Sequence, residues 1–386
     1  MTSLRPDSLH PTRRDVLRGM AGSGLSAAGS TAGRFFSGAL GALGALGASG
    51  CSNPLRSDVD TAALVDSVIG IDVHSHAAGV NGRREPTYDL AARLRNGRMT
   101  AVCLCHSADV PVIRREPGGK IVTVRIPEPG ELWRYTQRRL GWVDSMVQAQ
   151  GLRRALKRGD LEALHTARTP AIVQAIEGSQ FLEGRLERIE EVFARGVRHL
   201  QIVHFLASDM GDNQTEPATQ GGLTALGRQA IAECNRLGLV VDLAHATMEF
   251  VEAAAKASRT PLLISHTAVA KRDDRMQPFT RHISSAHARL VAQTGGVIGI
   301  WCAPLLYKSI DQWVDGIAHA VDIAGADHVA MGTDNSGFGE FPAVWDDYSD
   351  FPLVVGAMRR RGFSPQEIRK IAGGNYVRLF NQSMRA

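Results

Sequence analysis

Eight short apolar runs, spread over residues 69–334 and separated by amphipathic stretches, constrain this chain more than any other feature. They are IGIDVH (69–74), MTAVCLC (99–105), TPAIVQAIEG (169–178), VRHLQIVHF (197–205), GLVVDLAH (238–245), PLLISHT (261–267), GGVIGIWC (295–302) and HVAMGTD (328–334). A strand with one wet face alternates polar and apolar residues. Val- and Ile-rich runs without that alternation belong to strands covered on both faces, as in a parallel sheet. Between them lie helical patterns. In residues 181–196, Leu182, Leu186, Ile189, Val192 and Phe193 recur at helical spacing, and Gly196 stands at the end. Residues 223–238 repeat the stripe and the Gly stop. SPQEIRKIAGGNYVRLF (364–380) opens with Ser364 as cap, Pro365 in the first turn and Glu367 three residues after the cap. Strands alternating with helices predict a single-domain α/β fold, a (β/α)8 TIM-type barrel over residues 66–386. A doubly wound open sheet is the alternative, but no glycine-rich phosphate loop follows the first run. Residues 106–130, with REPGGK and PEPG turns, read as an excursion before a helix at 131–149.

The formal net charge of +5 is unevenly placed. Residues 1–50 hold Arg5, Arg13, Arg14, Arg18 and Arg34 against Asp7 and Asp15, so the remainder is nearly balanced. No basic patch argues for a nucleic-acid partner. Arg13 and Arg14, followed by Val16 and Leu17, predict a twin-arginine export signal. The Gly-, Ala- and Ser-rich stretch after it is too weakly hydrophobic for a spanning helix. LGASGC resembles a lipobox that would acylate Cys51, although Ala48 stands where Leu or Val is usual; a cleaved leader with an incidental Cys is the alternative. The expected organisation is a leader over 1–50, a linker over 51–65 and a catalytic barrel over 66–386. Such a protein is exported to the periplasm, its only membrane tie a lipid on Cys51. Cys103, Cys105, Cys234 and Cys302 are too sparse for a disulfide framework. Cys103 and Cys105 share a strand face and read as core residues, with a soft metal as the alternative.

In a barrel of this type the C-terminal strand ends form the functional face. His74 and His76 close the first run, Glu177 the third, His204 the fourth, His245 the fifth, His266 the sixth and Asp334 the eighth. His74 and His76, two apart on a strand, point to the same side. Neutral imidazoles with a carboxylate suit zinc or a neighbouring first-row metal. His74, His76, Glu177, His245 and His266 are more than one tetrahedral ion with an open position needs. Two divalent ions, zinc first among the candidates, are therefore expected, with Glu177 bridging them and a shared hydroxide activated for attack. Asp334, not needed as a ligand, is left to move a proton. His199, His282, His287, His319 and His328 read as residues of solvated faces or helix ends. Trp133, Trp142 and Trp313 read as packing residues.

AIEG, HLQIVHFLASDMGDN, GGLTALGRQAIAECNRLGLVVDLAH, PLLISHTAV, RHISSAHARLV, GTDNSG and GGNYVRLF follow one another along the chain. Through them residues 66–381 resemble the membrane (renal-type) dipeptidases and their bacterial relatives, a branch of the metal-dependent amidohydrolase barrels. The resemblance implies hydrolysis of a dipeptide or similar short amide, with a D-residue tolerated at the C-terminal position, and suggests a homodimer. It places the bridging glutamate on Glu177, metal histidines on His245 and His266, a substrate-contacting histidine on His204 and the catalytic aspartate on Asp334. It puts the substrate-binding arginine on Arg281, to pair with the substrate's carboxylate; Arg272 or Arg275 are alternatives, because the loop after His266 is longer than usual. Two further departures are His76, where the family has an aspartate, and IWCAP at the end of the seventh run. Other reactions at the same site remain open, namely deacylation of an N-acyl amino acid or hydrolysis of a lactone or phosphoester. So does a metal-free lipoprotein that binds peptides.

Overall fold

A computed structural model describes residues 54–82, 88–117, 119–272, 281–339, 341 and 343–385. The segment expected as a leader, Cys51 and Arg275 lie outside them. Eight barrel strands follow the eight apolar runs: β1 (Ile71–Ser75), β2 (Ala101–Ser107), β3 (Ala171–Glu177), β4 (Val197–Gln201), β5 (Val240–Asp242), β6 (Leu262–Val269), β7 (Val297–Ile300) and β8 (Val329–Met331). They pair in chain order, every pairing parallel. The ring closes between β1 and β8, where Ser75 bridges Asn335. There the His76 N–H donates to the Asn335 carbonyl at 2.8 Å, and the Asp334 N–H to the His74 carbonyl at 3.0 Å. The fold is the expected (β/α)8 barrel.

Inward-facing Ile71, Val73, Ala101, Cys103, Ala171, Val173, Val240, Leu263, Val297 and Ala330 fill the barrel floor, capped by Tyr376 and Phe380 of the last helix. Burial pushes the Cys103 and Cys105 thiols well up, so both stay protonated core residues. Gly299 and Gly332 are needed for closure: a Cβ on either would lie 1.8 Å from the Ser265 carbonyl oxygen.

Departures from the sequence expectations have local causes. Pro54–Ser67, in the stretch expected as a linker, is helical and buries Leu64 and Val65 against the barrel's outer layer. The 181–196 pattern yields a helix only over Glu187–Ala194, after a 3-10 turn at Gln180–Leu182. The closing helix keeps its Ser364–Glu367 capping box but opens into a π turn at Lys370–Gly374. Gly373 there passes so near β1 that a Cβ would sit 1.9 Å from the Ile69 carbonyl oxygen. The 106–130 excursion contains an antiparallel hairpin, Ile113–Arg115 with Ile121–Thr123. His199 is not on a solvated face: it is fully buried inside the barrel, its Nε2 3.0 Å from Asp242 Oδ2. His287 is likewise buried, with Nδ1 3.1 Å from Ser284 Oγ. Among the described residues no helix is long and apolar enough to cross a membrane.

Gly299→Ala should destabilise the fold by about 1–3 kcal/mol, the usual cost of overpacking a tight interior. Urea unfolding followed by circular dichroism measures it, and an unshifted midpoint would show that the seam tolerates a methyl group.

Candidate metal centre

Strand parity and irregularity together aim the polar residues at one point. Glu177 lies on the inner face of β3, in step with Ala171 and Val173. Ser107 of β2 stands opposite it in register and donates its hydroxyl to Glu177 Oε2 at 2.7 Å. Register shifts fall between Asp72 and Ser75 in β1 and between Ile264 and Thr267 in β6, the segments that carry His74 and His266. Bulges of this kind re-aim side chains beside functional sites. His204, His245 and Asp334 each lie three residues past the last paired strand residue. His245 (φ 72°) and Asp334 (φ 55°) adopt the left-handed backbone that turns their side chains over the barrel mouth. A non-glycine residue so placed costs about 1–3 kcal/mol, a strain concentrated at functional sites.

Five imidazole Nε2 atoms surround the Glu177 carboxylate. Oε1 faces those of His74 (3.6 Å), His245 (3.3 Å) and His266 (3.4 Å). Oε2 faces those of His76 (3.3 Å) and His204 (3.1 Å). Asp334 Oδ1 is 3.3 Å from His76 Nε2. The ligand atoms of His74, His76 and Glu177 lie within 4.8 Å of one another, as do those of Glu177, His245 and His266. Bonds of 2.0–2.1 Å around a tetrahedral zinc ion set N···N edges of about 3.3–3.4 Å. His74 and His76 present their Nε2 atoms 3.3 Å apart, and His245 and His266 theirs 3.2 Å apart. The donor set thus fits a divalent metal ion beside the carboxylate, and His74, His266 and Asp334 also bring ligand atoms within 4.8 Å of one another.

The electrostatics agree. Burial drives His74 and His245 well below the ordinary imidazole range and His266 to about 4, so all three keep free lone pairs at neutral pH. Burial works to raise Glu177, but the charged His204 beside it and the hydrogen bond from His76 hold it well below the usual carboxylate range. His76 is the exception: burial opposes its charge, yet Asp334 and Glu177 outweigh burial and hold it up to about 10. Positive charge is favoured at this position, and a proton or a cation can supply it.

Several partners carry no signal in the sequence. Asp109, near the start of the excursion that follows the second run, places Oδ1 2.6 Å from His204 Nδ1 and accepts the Phe205 and Leu206 N–H groups on Oδ2. Gln201 Nε2 donates to Glu177 Oε1 at 3.4 Å. Arg281 is buried, with a left-handed backbone (φ 53°). Its Nε donates to Gln214 Oε1 at 3.0 Å, and its Nη1 packs directly on His245 Nε2. Arg272 is exposed. The centre forms the floor of a cleft of about 1160 Å³ walled by Ile113, Ile121, Phe205, Trp301 and Leu305. Trp301, of the departing IWCAP segment, lies with its ring 5.6 Å from the Arg281 guanidinium.

Residues 60–386 match the family model of the membrane dipeptidases, peptidase family M19. Dipeptidase 3 of Rattus norvegicus is 26% identical over 232 residues, which are 57% of this chain and 46% of that protein. Dipeptidase 3 of Homo sapiens is 24% identical with the same coverage, so the chain spans about half the length of the curated relatives it matches. Among solved structures, a metallopeptidase of Rhodobacter sphaeroides, liganded with a phosphinate mimic of the dipeptide L-Ala-D-Ala, superposes with a TM-score of 0.69 at 20% identity. The match covers 82% of this chain and 99% of that one. An amidohydrolase of Pseudomonas aeruginosa gives 0.67 at 20% identity, covering 84% and 99%. At these identities the solved structures speak for the fold.

Burial would lower His204, but Asp109 and Glu177 outweigh it and raise the imidazole above its ordinary 6.5. The stabilisation from this charged pair is therefore complete below about 6.5 and is lost as the pH climbs through the raised value. In Asp109→Asn the NMR titration midpoint of His204 should fall, and stability should drop more at mildly acidic than at alkaline pH. An unmoved midpoint would show that Asp109 does not set it.

Proposed function

The chain belongs to the membrane dipeptidase family, peptidase family M19, and from that membership and the donor set around Glu177 we propose that it hydrolyses dipeptides with two divalent metal ions, zinc first among the candidates. One observation carries the reading: two pairs of imidazole nitrogens at zinc-ligand spacing flank a single buried carboxylate at the floor of a cleft. His74, His76 and Glu177 would hold one ion, and Glu177, His245 and His266 the other. Bound there, the ions would polarise the scissile carbonyl and supply a water of lowered pKa.

The chain's own residues supply the rest. Asp334, at the edge of the ligand set, takes the proton of the attacking water and returns it to the leaving amine. His204, held protonated by Asp109 on Nδ1, offers its Nε2–H to the oxygen that gains negative charge as the amide is attacked. Arg281 spends its Nη1 on the His245 lone pair. Metal ligation by His245 uses that same lone pair, so it releases the guanidinium for a substrate carboxylate, in the bidentate geometry arginine favours. The apolar walls of the cleft suit the two side chains. The twin-arginine pair Arg13–Arg14 and the lipobox-like segment before Cys51 support a periplasmic location for this activity.

The second reading is deacylation of an N-acyl amino acid, favoured by His76 where the family has an aspartate. A panel of L,L dipeptides, L,D dipeptides and N-acyl amino acids separates the two. Dipeptide cleavage should disappear on chelation and return with about two ions per chain. Asp334→Asn should keep its metal and lose roughly 10²–10⁴-fold in kcat. Full activity after chelation, or an unaltered rate in that variant, would overturn the proposal.

A further inference from the structure

A ligating imidazole that binds through Nε2 carries its hydrogen on Nδ1, and that hydrogen needs an acceptor to fix the ring and its tautomer. His76 has its own: Nδ1–H donates to the Cys105 carbonyl at 2.6 Å. His74 and His266 share one. Ser265 Oγ lies 3.1 Å from His74 Nδ1 and 3.0 Å from His266 Nδ1. The two rings lean together with centroids 3.8 Å apart, and the serine is fully buried beneath them. Ser265 Oγ thus meets one ligand from each of the two candidate ion positions, as the bridging Glu177 does from the other side.

We propose that Ser265 is a positioning residue common to both metal ions, accepting the Nδ1–H of His74 on one side and of His266 on the other. A hydroxyl oxygen has two lone pairs, which matches the demand. If the serine instead donated its hydrogen to His266 Nδ1, that ring would carry its hydrogen on Nε2 and could not ligate. Binding of both ions therefore fixes Ser265 as a double acceptor. The oxygen is itself held in place from below. The Ser265 N–H donates to Asp242 Oδ1 at 3.0 Å, and the other oxygen of Asp242 faces His199. The Ser265 carbonyl fills the space that side chains at Gly299 and Gly332 would need. The bulge of β6 at this residue is what lets Ser265 and His266, adjacent in sequence, both take part.

The inference rests on the two-ion reading above, and one titration tests the two separately. Metal-free protein is titrated with zinc against a competing chelator, with bound metal counted by mass spectrometry. Wild-type protein taking two ions supports the two-ion reading, and fewer than two overturns it. In Ser265→Ala both binding steps should weaken, by roughly 10–100-fold each, the usual effect of removing a partner of a ligating histidine. The melting temperature of the metal-free form should stay close to that of the wild type. Ser265→Cys keeps the shape and offers a weaker acceptor; it should weaken both steps less, and it decides the matter if the alanine variant does not fold. Weakening of one step alone, or of neither, in a protein whose wild type binds two ions would overturn the assignment.

Discussion

A carboxylate enclosed in a barrel mouth sets the terms for everything around it. Glu177 is 1% exposed, and an ionised group taken so far from water needs opposite charge and hydrogen bonds to stay ionised. Ser107 and Gln201 supply neutral donors, which is part of the need. Three of the surrounding imidazoles, His74, His245 and His266, are pushed by burial toward the neutral form and turn lone pairs toward the same space. Lone pairs facing a carboxylate repel it unless positive charge lies between. The arrangement is consistent only with cationic occupancy near Glu177, by protons on His76 and His204 or by metal ions, and metal binding at such a site releases protons.

Barrel closure and site construction use the same residues. Asp72, fully buried in β1, accepts the Thr333 N–H and hydroxyl at 2.9 and 2.5 Å and the Tyr348 hydroxyl at 2.8 Å. That fastens β1 to the end of β8 directly below His74. One residue further along, the His74 carbonyl holds the Asp334 N–H, and next to that His76 is tied to Asn335. The first strand therefore brings two ligand candidates to the mouth, and the seam it makes brings Asp334 to the same edge. A change that loosens the seam therefore moves the site.

The sequence makes the strands legible because burial on both faces leaves unbroken apolar runs, and it makes most of the site legible because polar residues recur where those runs end. What it hides is geometry created by single residues. A one-residue bulge inverts strand parity, so no pattern in IGIDVHSH or PLLISHT reveals that His74, Ser265 and His266 meet. Left-handed backbone at His245, Arg281 and Asp334 is equally silent, since none of them is a glycine. Asp109 meets His204 across 95 positions of chain, inside a segment that reads as an irregular excursion. His199, by contrast, carries a signal in the sequence. A histidine within VRHLQIVHF and an aspartate within GLVVDLAH both sit in runs buried on both faces, where charged groups survive only when paired. They pair with each other.

His76 is where this chain leaves the pattern of the family it belongs to, and its environment explains how the exchange is tolerated. An aspartate there would add a third carboxylate to Glu177 and Asp334. The imidazole removes that negative charge but retains a ligand atom, because the Cys105 carbonyl fixes its Nδ1–H and leaves Nε2 to face Glu177 and Asp334. On the two-ion reading the centre then carries more net positive charge than one built with three carboxylates. The ion held by His74, His76 and Glu177 would then be held less tightly, since it has one anionic partner fewer at close range. The centre would also attract anions more strongly, a substrate carboxylate among them. On that reading the exchange would trade metal affinity for a stronger pull on an anionic substrate, at a residue whose Nδ1 rests on the Cys105 carbonyl and not on Ser265.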